Sequence, residues 1–162
     1  EVATYWEQVV NINLWQQKRI SSIVIKNLFG TLSNKKLALF GFAFKANTND
    51  TRESPSINIS KNLLQEGATL SIYDPKVKAE QIFKELDSLT DKKNIIVNET
   101  PLEAAKEADA IIILTEWSEF EHLDWENIYR FTRKPIWIFD TRICLNKNFL
   151  RDIGFKVWTL GT

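Results

Sequence analysis

The chain has no methionine, and only one cysteine and one histidine among its 162 residues. Without methionine it has no initiator of its own. Because it also opens in what reads as the middle of a helix, an excised C-terminal piece of a longer protein is expected. The single thiol, Cys144, excludes an intrachain disulfide, which agrees with a reducing, cytoplasmic compartment. Formal net charge is zero, so no global field draws the chain to nucleic acid or to an anionic membrane. Any anion site has to be built locally. No apolar run is long enough to span a bilayer, and no signal peptide is visible behind Glu1. Nothing has metal-ligand spacing. With 44% hydrophobic and 26% charged residues, the composition is that of one globular domain with a real core plus an appended element.

That element is at the start. Val2, Tyr5, Trp6, Val9, Ile12, Ile20, Ile23, Val24 and Leu28 fall mostly at three- and four-residue spacings and predict one long helix over 2–29, stopped at Gly30. Val10, Leu14, Trp15, Ile25 and Phe29 put apolar surface on its other faces. A helix apolar on more than one side buries more than one face, so packing on its own domain and against a missing domain or a second copy are both expected.

From Lys36 the pattern alternates between strand and helix. Strands are predicted over Lys36–Phe42, Thr69–Tyr73, Asn94–Val97, Ala110–Leu114, Ile136–Phe139 and Lys156–Thr159. Helices are predicted over Pro55–Gln65, Lys78–Leu86, Pro101–Glu107, within Trp117–Phe131 behind an Asp124 cap, and over Asn148–Ile153. Lys84–Lys93 is the most loop-like insertion. Strands apolar throughout and separated by helices predict an α/β, Rossmann-like fold: an open, mostly parallel sheet with helices on both faces, preceded by the long helix. The expected division is 1–30 for the linker or dimerisation helix and 31–162 for the sheet domain.

The stretch Gly41–Ser56 joins the first strand to a helix that Ser54 can cap and Pro55 can start. A charged loop in that position is where open α/β sheets bind anions, although it can equally be a solvated turn. It lacks the Gly-x-Gly-x-x-Gly turn of a dinucleotide site, since Ala43 stands two residues after Gly41. The chain is therefore not itself a complete NAD-binding domain. Lys45 lies past the strand end, where it can reach a phosphate or simply sit in solvent. Arg52 carries a phosphate-shaped fork but can pair with Asp50 or Glu53. Arg142 follows another buried strand and can join Lys45 at one edge or pair with Asp140. Glu116 and Trp117 open a helix and suit capping and packing rather than catalysis. A Cys144–His122 nucleophile pair is conceivable, but Cys144 between Ile143 and Leu145 reads as buried packing.

Gly41-Phe42-Ala43-Phe44-Lys45, Thr48 and Asp50-Thr51-Arg52-Glu53-Ser54-Pro55 together resemble the signature of the UDP-glucose 6-dehydrogenase family, at the start of its C-terminal, UDP-binding domain. The resemblance continues through Ile72-Tyr73-Asp74-Pro75, Thr115-Glu116-Trp117 and Phe139-Asp140-Thr141-Arg142, in that order and over nearly the whole chain. It implies that Phe44, Lys45 and Arg142 contact a UDP-sugar such as UDP-glucose, and that Arg52 reaches toward NAD held mainly by another domain. It also implies that helix 2–29 is a linker and homodimer element. The parent activity it implies is two successive NAD-dependent oxidations of UDP-glucose to UDP-glucuronate through a cysteine thiolate. That cysteine lies upstream of residue 1, so the chain alone is expected to be inactive. Related UDP-N-acetylhexosamine dehydrogenases, a stand-alone nucleotide-binding module and a pure interaction domain are the alternatives. The family often has glycine where Thr141 stands; if that position needs a left-handed backbone, Thr141 would be strained.

Overall fold

The computed structural model describes residues 1–86 and 92–161. Helix α1 (Val2–Asn27) leads into a six-stranded sheet, with strands β1 (Lys36–Phe40), β2 (Thr69–Tyr73), β3 (Ile95–Val97), β4 (Ala110–Ile113), β5 (Trp137–Asp140) and β6 (Lys156–Thr159). The connecting helices are α2 (Pro55–Gln65), α3 (Ala79–Leu86), α4 (Pro101–Ala105), α5 (Trp125–Phe131) and α6 (Lys147–Ile153). Every strand pairing is parallel and the spatial order is β3-β2-β1-β4-β5-β6. The chain turns back between β1 and β4, which makes their carboxyl ends the topological switch point of the sheet. The expected open parallel sheet is present, and it is parallel throughout.

The central strands are buried because both faces are covered. Leu37 to Phe40 and Ala110 to Ile113 have no accessible surface. Helices α1, α2 and α3 pack in sequence as one group, and α4, α5 and α6 as another. The Phe40 ring lies 5.4 Å from Phe120 and 6.0 Å from Trp125, centroid to centroid, and knits the aromatic part of the core.

Element ends differ from the periodicity where a backbone group finds another partner. β1 stops at Phe40 rather than Phe42: Gly41 has φ 95°, and the Phe42 and Ala43 amides both donate to Asp74 Oδ2 instead of a neighbouring strand. Helix α1 ends at Asn27 rather than 29, because Phe29 and Gly30 turn left-handed (φ 66° and 82°) and the Gly30 amide closes back on the Ile25 carbonyl. Glu107 does the same (φ 58°) beyond α4, which ends at Ala105. The loop-like stretch Lys84–Lys93 begins as helix through Leu86 and ends in a single 3₁₀ turn, Lys92–Asn94; its residues 87–91 lie outside the described residues.

The buried residues of α1, Ile20, Ser21 and Val24, all lie in its C-terminal third, while Tyr5, Trp6, Ile12 and Trp15 are each about 60% exposed. Among the described residues no helix is long and apolar enough to cross a membrane.

Candidate functional site

The loop from Gly41 to Ser54 is held by three buried fasteners. Asp74, just past β2, accepts from Phe42 N (2.7 Å), Ala43 N (3.0 Å) and Trp117 Nε1 (3.3 Å) on one carboxylate oxygen, and from Lys76 N (2.8 Å) and Val77 N (2.9 Å) on the other. Thr115 Oγ1 donates to the Ala43 carbonyl at 2.9 Å. Ser54 Oγ donates to the Phe42 carbonyl at 2.9 Å and accepts from Ser56 N, so the expected cap of α2 is also a clamp on the loop. Gly41 is required at the crossing point: a Cβ there would stand 2.5 Å from the Thr115 side chain, and its φ of 95° suits glycine.

A second loop, after β5, is wrapped around Asp140, which is fully buried. Its carboxylate accepts from the amides of Arg142 (3.1 Å), Cys144 (3.0 Å) and Leu145 (2.9 Å). Thr141 carries no left-handed strain; its Oγ1 donates to the Ile113 carbonyl at 2.6 Å and the residue is buried. The left-handed residue of this loop is Ile143 (φ 56°), two positions on and exposed.

Between these loops and α1 lies a cleft of about 690 Å³. Phe44, Leu114, Thr141 and Arg142 line it from the carboxyl edge of the sheet, Glu53 to Pro55 from the start of α2, and Val10, Leu14 and Ile20 from α1. Phe44 and Arg142 are thus brought to one cavity. Lys45 is exposed and does not line it; it is close enough to Asp50 to help hold that carboxyl down. Arg52 lies in solvent with its side chain 88% exposed and grips Asp50 through Nε (3.0 Å) and Nη2 (2.9 Å). That grip holds the Asp50 carboxyl down to about 2, so the pair is intact at neutral pH and is lost only as pH falls toward that value. Arg142 does not pair with the Asp140 carboxylate through its guanidinium. Its partner is Glu116, with Nε donating to Oε2 at 2.6 Å and Nη2 at 2.5 Å from the same oxygen. Glu116, expected to serve in capping or packing, finds its partner 26 residues away in sequence, beyond the reach of any local pattern.

The Cys144 thiol is partly buried beside the Asp140 carboxylate. Burial, then the Asp140, Glu121 and Glu116 carboxylates, push Cys144 up to about 12. Iodoacetamide at pH 8 is therefore expected to alkylate the native chain on the order of a thousandfold more slowly than the urea-unfolded chain, since only the thiolate reacts. Equal rates would restore the nucleophile reading.

The residues after β1 do not fit the pyrophosphate of a dinucleotide. The amides of Phe42 and Ala43, which such a turn would offer, are already bound to the carboxylate of Asp74. An anion at those two amides would meet the Asp74 carboxylate rather than free N–H groups.

The sequence pattern of the UDP-glucose/GDP-mannose dehydrogenase family, UDP binding domain, matches residues 38–147, more than half of the chain. The chain belongs to this family. It is 46% identical to the UDP-glucose 6-dehydrogenase of Caenorhabditis elegans, over 100% of this chain and 34% of that protein. It is 47% identical to the UDP-glucose 6-dehydrogenase of Rattus norvegicus, over 99% of this chain and 34% of that protein. The chain spans about a third of the length of these curated relatives. Among solved structures, an NDP-N-acetyl-D-galactosaminuronic acid dehydrogenase from Methanosarcina mazei Go1 superposes with a TM-score of 0.72 at 21% identity, over 91% of this chain and 29% of that one. At that identity the likeness concerns the fold alone.

Proposed function

We propose that this cleft holds the UDP part of UDP-glucose and that the chain is the UDP-sugar-binding portion of an NAD-dependent UDP-glucose 6-dehydrogenase. The observation that carries the reading is the convergence of an aromatic face, Phe44, and a phosphate-shaped cation, Arg142, on one cavity at the sheet's switch point. Lys45, next in the chain to Phe44, would reach the phosphates only from outside the lining of the cleft. NAD would be held mainly outside residues 31–162, with the exposed Arg52 fork reaching toward it. The identity of 46–47% to UDP-glucose 6-dehydrogenases favours UDP-glucose over N-acetylhexosamine relatives. The chain's own share of the chemistry is positioning: binding energy at the nucleotide is spent on aligning the sugar. A reducing, cytoplasmic setting would keep Cys144 a thiol. UDP binding by the wild-type chain, and its loss in Arg142→Ala, tests the reading.

Residues 1–30 are proposed as a linker and homodimer element. No residue before Ile20 in α1 is buried, yet Tyr5, Trp6, Ile12 and Trp15 lie there exposed. That much apolar surface on one helix marks a contact, and a pair of identical helices buries it isologously. Sedimentation at tens of micromolar is expected to give a dimer for the wild type and a monomer for Trp6→Glu/Trp15→Glu. A wild-type monomer with the helix intact by circular dichroism would count against it.

A further inference from the structure

We propose that Glu116 is a positioning residue for the anion site: its carboxylate pins one edge of the Arg142 guanidinium and leaves the other edge presented to a diphosphate. The proposal rests on the assignment of Arg142 to the ligand. A guanidinium has five donors in one plane, arranged along two edges. Glu116 Oε2 takes the Nε and Nη2 edge, at 2.6 and 2.5 Å. Nη1 has no protein partner among the described residues. Arg142 lines the cleft and Glu116 does not, so the carboxylate approaches from outside it.

Both residues are rooted in rigid backbone, so their meeting is imposed by the fold. Glu116 stands between Thr115, tied to the Ala43 carbonyl, and Trp117, tied to Asp74. Arg142 follows Thr141, tied to the Ile113 carbonyl, and its own amide is tied to Asp140. With the main chain fixed at each end, the one freedom left to Arg142 is its long side chain, and Glu116 removes most of it. A fork held in the binding geometry before the ligand arrives loses less entropy when it arrives. A carboxylate acting as a competitor would instead lie in the cleft, on the ligand-facing edge.

The test is calorimetric titration of UDP into the chain and its variants, each checked for an unchanged melting transition. Glu116→Ala is expected to weaken UDP binding about tenfold, by analogy with losing a carboxylate that orients a metal-binding side chain. Glu116→Gln keeps an acceptor oxygen and is expected to lose less. In an Arg142→Lys background, which keeps the charge but has no fork to pin, Glu116→Ala is expected to cause no further loss. A purely structural Glu116 would weaken binding equally in both backgrounds, and that result overturns the proposal. So does Glu116→Ala binding as tightly as the wild type or more tightly, which would mark the carboxylate as bystander or competitor. If Arg142→Ala itself binds UDP like the wild type, the assignment of Arg142 fails, and the positioning role falls with it.

Discussion

Replacing Asp74 by alanine is expected to lower the melting temperature of the chain by roughly 8–16 °C. The carboxylate is nearly out of solvent and accepts five hydrogen bonds, from the amides of Phe42, Ala43, Lys76 and Val77 and from the Trp117 indole. Phe42 and Ala43 are themselves buried, so their N–H groups would be left without a partner or with an imperfectly placed water. A hydrogen bond to a charged group contributes about 1.5–3 kcal/mol, and bonds converging on one acceptor do not add in full. A total near 4 kcal/mol is expected, and a domain of this size loses about 2–4 °C per kcal/mol. Asp74→Asn retains one acceptor oxygen and is expected to fall between the two. Differential scanning calorimetry reads the shift; a drop below about 2 °C for Asp74→Ala would mean that the loop is held by Thr115 and Ser54 alone.

The parallel sheet was legible because β1, β4 and β5 are short apolar runs that only a sheet covered on both faces can bury. The long helix was legible from its spacing, and the α2 cap from Ser54-Pro55. The ends were less so. β1 stops short since Asp74, more than thirty residues on, takes the amides that would have continued it. No local preference carries that information. Yet an apolar strand followed directly by aspartate occurs at both Asp74 and Asp140, and both carboxylates gather the amides of a following loop. That repeated pattern was the signal for two residues whose importance spacing alone did not bring out. Thr141 would have been strained had its position needed a left-handed backbone; the loop places that turn at the exposed Ile143 instead, a β-branched residue for which it is costly. Phe44 and Arg142 were readable as strand-end residues, and they share a cleft. Lys45 was readable in the same way but stands outside the lining, because strand-end position says nothing of side-chain direction.

The cleft between α1 and the carboxyl edge of the sheet is proposed to hold UDP, with Arg142 on the phosphates. The Arg142 side chain is about one-third exposed and lines the cleft, and its main-chain amide is tied to Asp140. A charge-assisted contact in such a place contributes about 1.5–3 kcal/mol, which is about ten- to a hundredfold in affinity. Removing it is not expected to unfold the domain, since Arg142 belongs to no apolar run and its amide bond to Asp140 survives the substitution. Added salt is expected to weaken wild-type binding, because part of the attraction is screened. The direct measurement is calorimetric titration of UDP into the wild type and into Arg142→Ala, with both melting transitions recorded. Measurable binding by the wild type is expected, with a dissociation constant about ten to a hundred times larger for the variant at an unchanged melting temperature. Equal affinity for the two, or no binding by the wild type at millimolar UDP, would contradict it.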